Sequence, residues 1–164
     1  MLERGVVERI SRGVYRLADL PPIGNPDLVT VGARVPKGVV CLISALAYHD
    51  LTTEVPHAVY LAIQRGAETP RLDHPPLRIF RFSGRAFSSG IETHELDGVP
   101  VRIYNAEKTV ADCFKYRNKI GLDVALEALR AWRARKGATV QDLLVQARVC
   151  RVEKIIRPYL EALL

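Results

Sequence analysis

Aromatic residues make up only 7% of the chain, with a single tryptophan among them. So small a supply leaves no conspicuous stacking platform of the kind that grips single-stranded nucleic acid. Cysteine is equally scarce: Cys41, Cys113 and Cys150 are odd in number, widely spaced and set among apolar neighbours. That pattern excludes a disulfide framework and points to a reducing cytoplasm, with all three thiols packed in the interior. The histidines His49, His57, His74 and His94 are scattered, and neither His-x-x-x-His nor Cys-x-x-Cys occurs, so no metal site is expected. Long apolar runs are missing as well. The longest, residues 39–48, is interrupted by Ser44 and falls far below the roughly 18 residues needed to cross a bilayer. Leu2-Glu3-Arg4-Gly5 is too charged to open a secretory leader, and a cytoplasmic location with no membrane partner follows. Neither Gly-x-Gly-x-x-Gly nor Gly-x-x-x-x-Gly-Lys-Ser/Thr is present, which removes the two commonest phosphate-cradling loops, and no cofactor is expected.

What the chain does have is apolar bulk and positive charge. Its 164 residues are 48% hydrophobic, enough for one main domain with a substantial core. Lys and Arg number 24 against 18 Asp and Glu, a formal net charge of +6 that favours polyanionic partners. The run Arg9-Ile10-Ser11-Arg12-Gly13-Val14-Tyr15-Arg16-Leu17 reads as a basic β-hairpin. Ser11 to Gly13 supply the turn. Ile10, Val14 and Leu17 are placed to face a core while Arg9, Arg12 and Arg16 point to solvent. Two readings stand side by side: the wing of a winged helix-turn-helix lying along a nucleic-acid backbone, or an edge hairpin carrying arginines for solubility. Only Met1 to Gly5 precede it, too few for the helices that enter a major groove, so the expected unit is a wing without them.

A linker rich in proline and turn formers, Asp19 to Pro26, divides the chain into a hairpin unit at 1–20 and a body at 25–164. Asn25 followed by Pro26 predicts a capped helix from Asp27 to Val35, closed by Pro36 and Gly38. A second helix is predicted over 42–50, with Leu42, Ala45, Leu46 and His49 on one face and Ser44 on another. Strands follow at 57–64, 77–82 and 99–104, with a fourth at 91–96 joined to the last by an Asp97-Gly98 turn. From Asn105 the pattern is helical: a helix capped by Asn105 to Tyr116, one from Gly121 to Arg135 ended by Gly137, one capped by Thr139, and a closing one at 152–163. The order of helices, strands and helices predicts an α+β fold with a small antiparallel or mixed sheet and a C-terminal helical bundle.

No catalytic constellation emerges. Cys113 beside Asp112 lies in an apolar helical stretch with no base near it and reads as an inert core thiol. A metal-dependent nuclease wants Asp with Glu-x-Lys on adjacent strands, yet these strands carry Arg78, Arg81 and Arg102. His49 reads as a half-buried residue with a satisfied ring nitrogen. Glu107 complements the dipole of its helix, and Lys108 reaches solvent or a neighbour. Charge distribution says more. Residues 108–136 hold eight cations (Lys108, Lys115, Arg117, Lys119, Arg130, Arg133, Arg135, Lys136) against three anions. A second cluster comprises Arg65, Arg71, Arg78, Arg81 and Arg85. Each is open to reading as a solvated surface; together with the hairpin they favour contact with phosphate. In the long helix Leu122, Ala125, Leu126, Leu129 and Trp132 form an apolar stripe with Arg130, Arg133 and Arg135 along its edge, open to DNA or to an acidic partner.

Three segments, in order and with suitable spacing, carry a resemblance: Glu8 to Leu17; Val40-Cys41-Leu42-Ile43-Ser44-Ala45-Leu46 with His49 and Leu51; and Ile103-Tyr104-Asn105-Ala106-Glu107-Lys108-Thr109-Val110-Ala111-Asp112. The chain resembles the AbiEi family, antitoxins and transcriptional regulators of type IV toxin–antitoxin, or abortive infection, systems. The resemblance implies an N-terminal winged helix that binds the promoter DNA of its own operon. It also implies a C-terminal domain, here 25–164, that counters a nucleotidyltransferase-like toxin in phage defence. Arg9, Arg12 and Arg16 would then touch DNA backbone or minor groove, with Arg4 at the remnant of the preceding helix. Lys115, Lys119, Arg130, Arg133, Arg135 and Lys136 complete the expected DNA-binding set. No catalytic residue is implied, and a binding protein rather than an enzyme is expected. The alternative is a nuclease or nucleotide-modifying enzyme of a defence system.

Overall fold

A computed structural model describes the backbone of residues 7–11 and 14–17 and the whole of residues 25–163. Arg4, Arg12, the Ser11–Gly13 turn as a unit and most of the 19–26 linker lie outside the described residues. Strands β1 (Val7–Ser11) and β2 (Val14–Leu17) pair antiparallel, as a hairpin requires. Glu8 stands opposite Arg16 and Arg9 opposite Tyr15, with the register shifting between Arg9 and Ser11.

The body is a mixed α+β structure around a five-stranded mixed sheet. Helix α1 (Pro26–Arg34) begins on Pro26, whose fixed φ suits the first helical position. Asn25 offers no side-chain cap, contrary to expectation; its carbonyl accepts the Val29 N–H at 3.0 Å. Strand β3 (Val39–Val40) and helix α2 (Leu42–Tyr48) come next. Then follow β4 (Val59–Gln64), β5 (Leu77–Phe82), α3 (Gly84–Ser88), β6 (Ile91–Leu96) and β7 (Val99–Tyr104). Helices α4 (Ala106–Lys115), α5 (Arg117–Ile120), α6 (Leu122–Arg133), α7 (Val140–Val149) and α8 (Glu153–Ala162) complete the chain. The sheet order is β5-β4-β3-β7-β6, with β3 parallel to β7, β4 parallel to β5, and antiparallel pairing at β3/β4 and β6/β7.

Strand parity assigns each side chain to one of two cores. Val59, Leu61, Ile63, Val40, Val101 and Ile103 point to the layer that holds Leu28 and Val31 of α1. Tyr60, Ala62, Phe80, Phe82, Val39 and Tyr104 point to the opposite layer, built from α2, α4, α6, α7 and α8. The central strands β3 and β4 are therefore buried on both faces, and β3, only two residues long within an apolar run, gives no periodic signal. Gly32 lets α1 settle on β7: a Cβ there would come within 2.7 Å of Val101 Cγ2 and 2.9 Å of the Pro100 carbonyl. Ser44, expected away from the packed face, is 4% exposed, because its hydroxyl accepts the Tyr60 N–H at 2.9 Å and ties α2 to β4. Leu122, expected in the apolar stripe of α6, is exposed, and Val124 and Ala128 are buried instead. Asp97 and Gly98 both take positive φ, 52° and 80°, closing the β6–β7 hairpin as the sequence predicts. No helix among the described residues is long and apolar enough to cross a membrane.

Candidate functional site

Helix α4 is the organising element of the larger core. Asn105 caps it, its side chain accepting the Lys108 N–H at 2.8 Å, and α2, α6, α7 and α8 all pack against it. Lys108 does not reach solvent. It is wholly buried, and its Nζ donates to both carboxylate oxygens of Asp112, one turn on, at 2.9 and 2.7 Å. The same ammonium sits 4.0 Å from the Tyr104 ring centroid and 4.8 Å from that of Phe82. Cys150 Sγ approaches Asp112 Oδ1 at 3.2 Å as a donor. Burial pushes the Asp112 carboxyl above its ordinary range, against the pull of Lys108. Burial likewise raises the Cys41, Cys113 and Cys150 thiols, which suits the unreactive interior role expected of them. The pair carries no net charge, and Cys150, bonded to Asp112, also lines the adjoining surface.

That surface is a cleft of about 810 Å³ walled by the start of α3, the α4–α5 junction and the α7–α8 turn. Five cations line it: Arg85, Lys115, Arg117, Arg148 and Arg151; no carboxylate does so among the described residues. Its floor is apolar, with Ala86, Val152 and Ile155 beside the buried Cys150. Arg117 donates to the Phe114 carbonyl at 2.8 Å, and Arg148 Nε to Glu153 Oε1 at 3.2 Å. The Arg85 and Arg151 side chains form no ion pair with a described residue.

The other expected cations do not converge. Arg130 lines a separate depression with Glu54, Asp123 and Glu127, whereas Arg135 and Lys136 line another with Glu92 and Glu107. Lys119 is exposed at the end of α5, and Arg133 is half-buried, its Nε without a hydrogen-bond partner among the described residues. The charge excess of residues 108–136 thus does not form one face; helical rotation sends it in three directions. Arg78 is spent on Tyr60, 3.1 Å from its hydroxyl and 5.0 Å from its ring centroid, and Arg81 on the Ala67 carbonyl and the Thr69 hydroxyl, each at 2.6 Å. His49 is half-buried with Nε2 2.8 Å from the Tyr104 carbonyl, the satisfied state expected of it. Sequence reading missed Arg148 and Arg151. A signal was present: the Cys150-Arg151-Val152 stretch ends a helix with no glycine, where the chain turn normally selects one.

The fold and the cleft define a mixed α+β domain with a concave cationic site. No family model matches the chain, and comparison with curated proteins gives no match.

Proposed function

We propose that this protein acts by gripping phosphate, as a DNA-binding antitoxin and regulator of the AbiEi type that represses its own operon and counters a nucleotidyltransferase-like toxin. The observation that carries the phosphate reading is the gathering of Arg85, Lys115, Arg117, Arg148 and Arg151 in one cleft with no lining carboxylate among the described residues, while DNA contact is assigned to the hairpin. The motif resemblance supplies the antitoxin role, and the antiparallel β1–β2 pair supports the hairpin as a wing. In this reading Arg9, Arg12 and Arg16 contact backbone or minor groove, while the C-terminal helices, packed as a bundle about α4, serve antitoxicity in a cytoplasmic setting.

The test is binding of the full chain to DNA from upstream of its own operon across a salt series. Affinity should fall steeply with salt, and replacing Arg9, Arg12 and Arg16 by Ala should lower the log–log slope by about 0.9 for each phosphate that is no longer neutralised. Co-expression should relieve growth arrest by a nucleotidyltransferase-like protein encoded beside it. DNA cleavage abolished by a chelator would overturn the binding reading in favour of a nuclease.

A further inference from the structure

Shape sets the cleft apart from a duplex-binding face. The major groove of DNA, about 12 Å wide, is read by a protruding helix or two-stranded ribbon. Here the cations approach a concavity from three separate segments, α3, α4–α5 and the α7–α8 turn. No aromatic ring lines it, so it is not built to stack the bases of a strand either. Its volume of about 810 Å³ lies in the range of small-molecule sites.

Arg151 adds a second, independent observation. It ends α7 in the left-handed region, φ 61°, with Val152 N donating to the Ala147 carbonyl at 2.8 Å and Arg151 N to that of Arg148 at 3.1 Å. That bonding pattern normally places glycine at the left-handed position. An arginine there bears backbone strain, as Asp50 does at the end of α2, and strain of this kind clusters at ligand-binding positions. The turn sets Arg151 in the cleft wall beside Arg148.

We infer that the cleft is a binding site for a compact polyphosphate, the di- or triphosphate group of a nucleotide or its inorganic equivalent. The inference rests on the reading of the cleft as a phosphate site and names its ligand. Arg85, Arg117, Arg148 and Arg151 supply guanidinium donors matched to phosphate oxygens, and Lys115 a point charge. The Ala86, Val152 and Ile155 floor accepts the uncharged part of a nucleotide.

Titration calorimetry on the full chain with ATP, GTP and inorganic triphosphate tests this. One-to-one binding that weakens with salt is expected. Arg151→Gly and Arg85→Ala should each weaken it roughly tenfold, with Lys37→Ala, in the α1–β3 turn, as the unaffected control. Arg151→Gly should also raise the thermal midpoint while it weakens binding, an outcome that a purely structural Arg151 does not give. ATP and inorganic triphosphate binding equally well supports a site for phosphate alone; tighter ATP supports a nucleotide seated on the floor. Absence of binding by all three, or binding unchanged in Arg151→Gly, overturns the inference. If promoter DNA still binds in that case, the polyanion reading of the protein survives and only the ligand is wrong; if neither binds, both fail.

Discussion

Lys108→Met removes one charge from the most enclosed ion pair among the described residues while keeping the length and helix propensity of the side chain. Lys108 is 0% exposed and Asp112 1%, so the Asp112 carboxylate would be left in the core with only the Cys150 thiol as a side-chain donor among the described residues. Breaking such a pair from one side costs about 3–5 kcal/mol. For a domain of this size each kcal/mol lowers the thermal midpoint by about 2–4 °C, so a drop of roughly 10 °C is expected. Trp132, the single tryptophan, is fully buried with its indole N–H 2.7 Å from Glu107 Oε2, and its fluorescence follows the urea transition directly. The double variant Lys108→Met/Asp112→Leu should recover most of the stability, because the desolvation cost of both charges goes with them. In the single variant Asp112 keeps a folded-state pKa above its unfolded one. The unfolded state then binds fewer protons, so stability falls as pH rises and is regained as pH drops through the folded pKa. A Lys108→Met protein within about 1 kcal/mol of the parent at neutral pH, or one further destabilised relative to the parent by mild acid, would refute the dry, charged pair.

Gly90→Ala should cost about 2–4 kcal/mol in thermal denaturation, since its φ of 78° disfavours a Cβ that would also lie 2.6 Å from Lys108 Cβ. Gly98→Ala, with φ 80° and nothing within 4 Å, should cost only the backbone term of about 1–2 kcal/mol; equal destabilisation by the two would remove the close approach from the explanation. Glu127 clasps the loop after α2, accepting the Thr53 N–H at 2.9 Å and the Thr53 and Thr52 hydroxyls at 2.8 and 2.9 Å, and these bonds hold its carboxyl below the ordinary range. Its stabilising effect is therefore present above the unfolded carboxylate pKa and lost as pH falls through the lower folded value. Glu127→Gln should speed hydrogen exchange at the Thr53 amide at neutral pH, and an unchanged rate would show that the clasp does not order the loop.

Much of the architecture was legible locally. Leu77–Phe82, Ile91–Leu96 and Val99–Tyr104 are strands at the predicted bounds, because β-rich stretches are punctuated by turn residues such as Asp97-Gly98. Asn105 and Thr139 cap their helices as side-chain chemistry dictates. Short elements escaped: β3, α3 and α5 span two, five and four residues, less than a hydrophobic period needs to declare itself. The cleft escaped for a different reason. Its cations come from residues 85, 115, 117, 148 and 151, and linear charge counting favours residues adjacent in sequence, which a helix turns to different sides.

Composition, periodicity and turn chemistry thus determined the kinds of element, the mixed fold and the excess of positive charge, all of which act over a few residues or over the chain as a whole. Tertiary structure alone decided which cations share a surface and which are consumed inside. Lys108 and Lys115 are seven positions apart in one helical stretch, yet the first is neutralised by Asp112 in the core and the second faces the cleft. Their spacing places both on nearly the same side of the helix, two turns apart, so only the packing of neighbouring elements around α4 settles which turn is enclosed and which meets water.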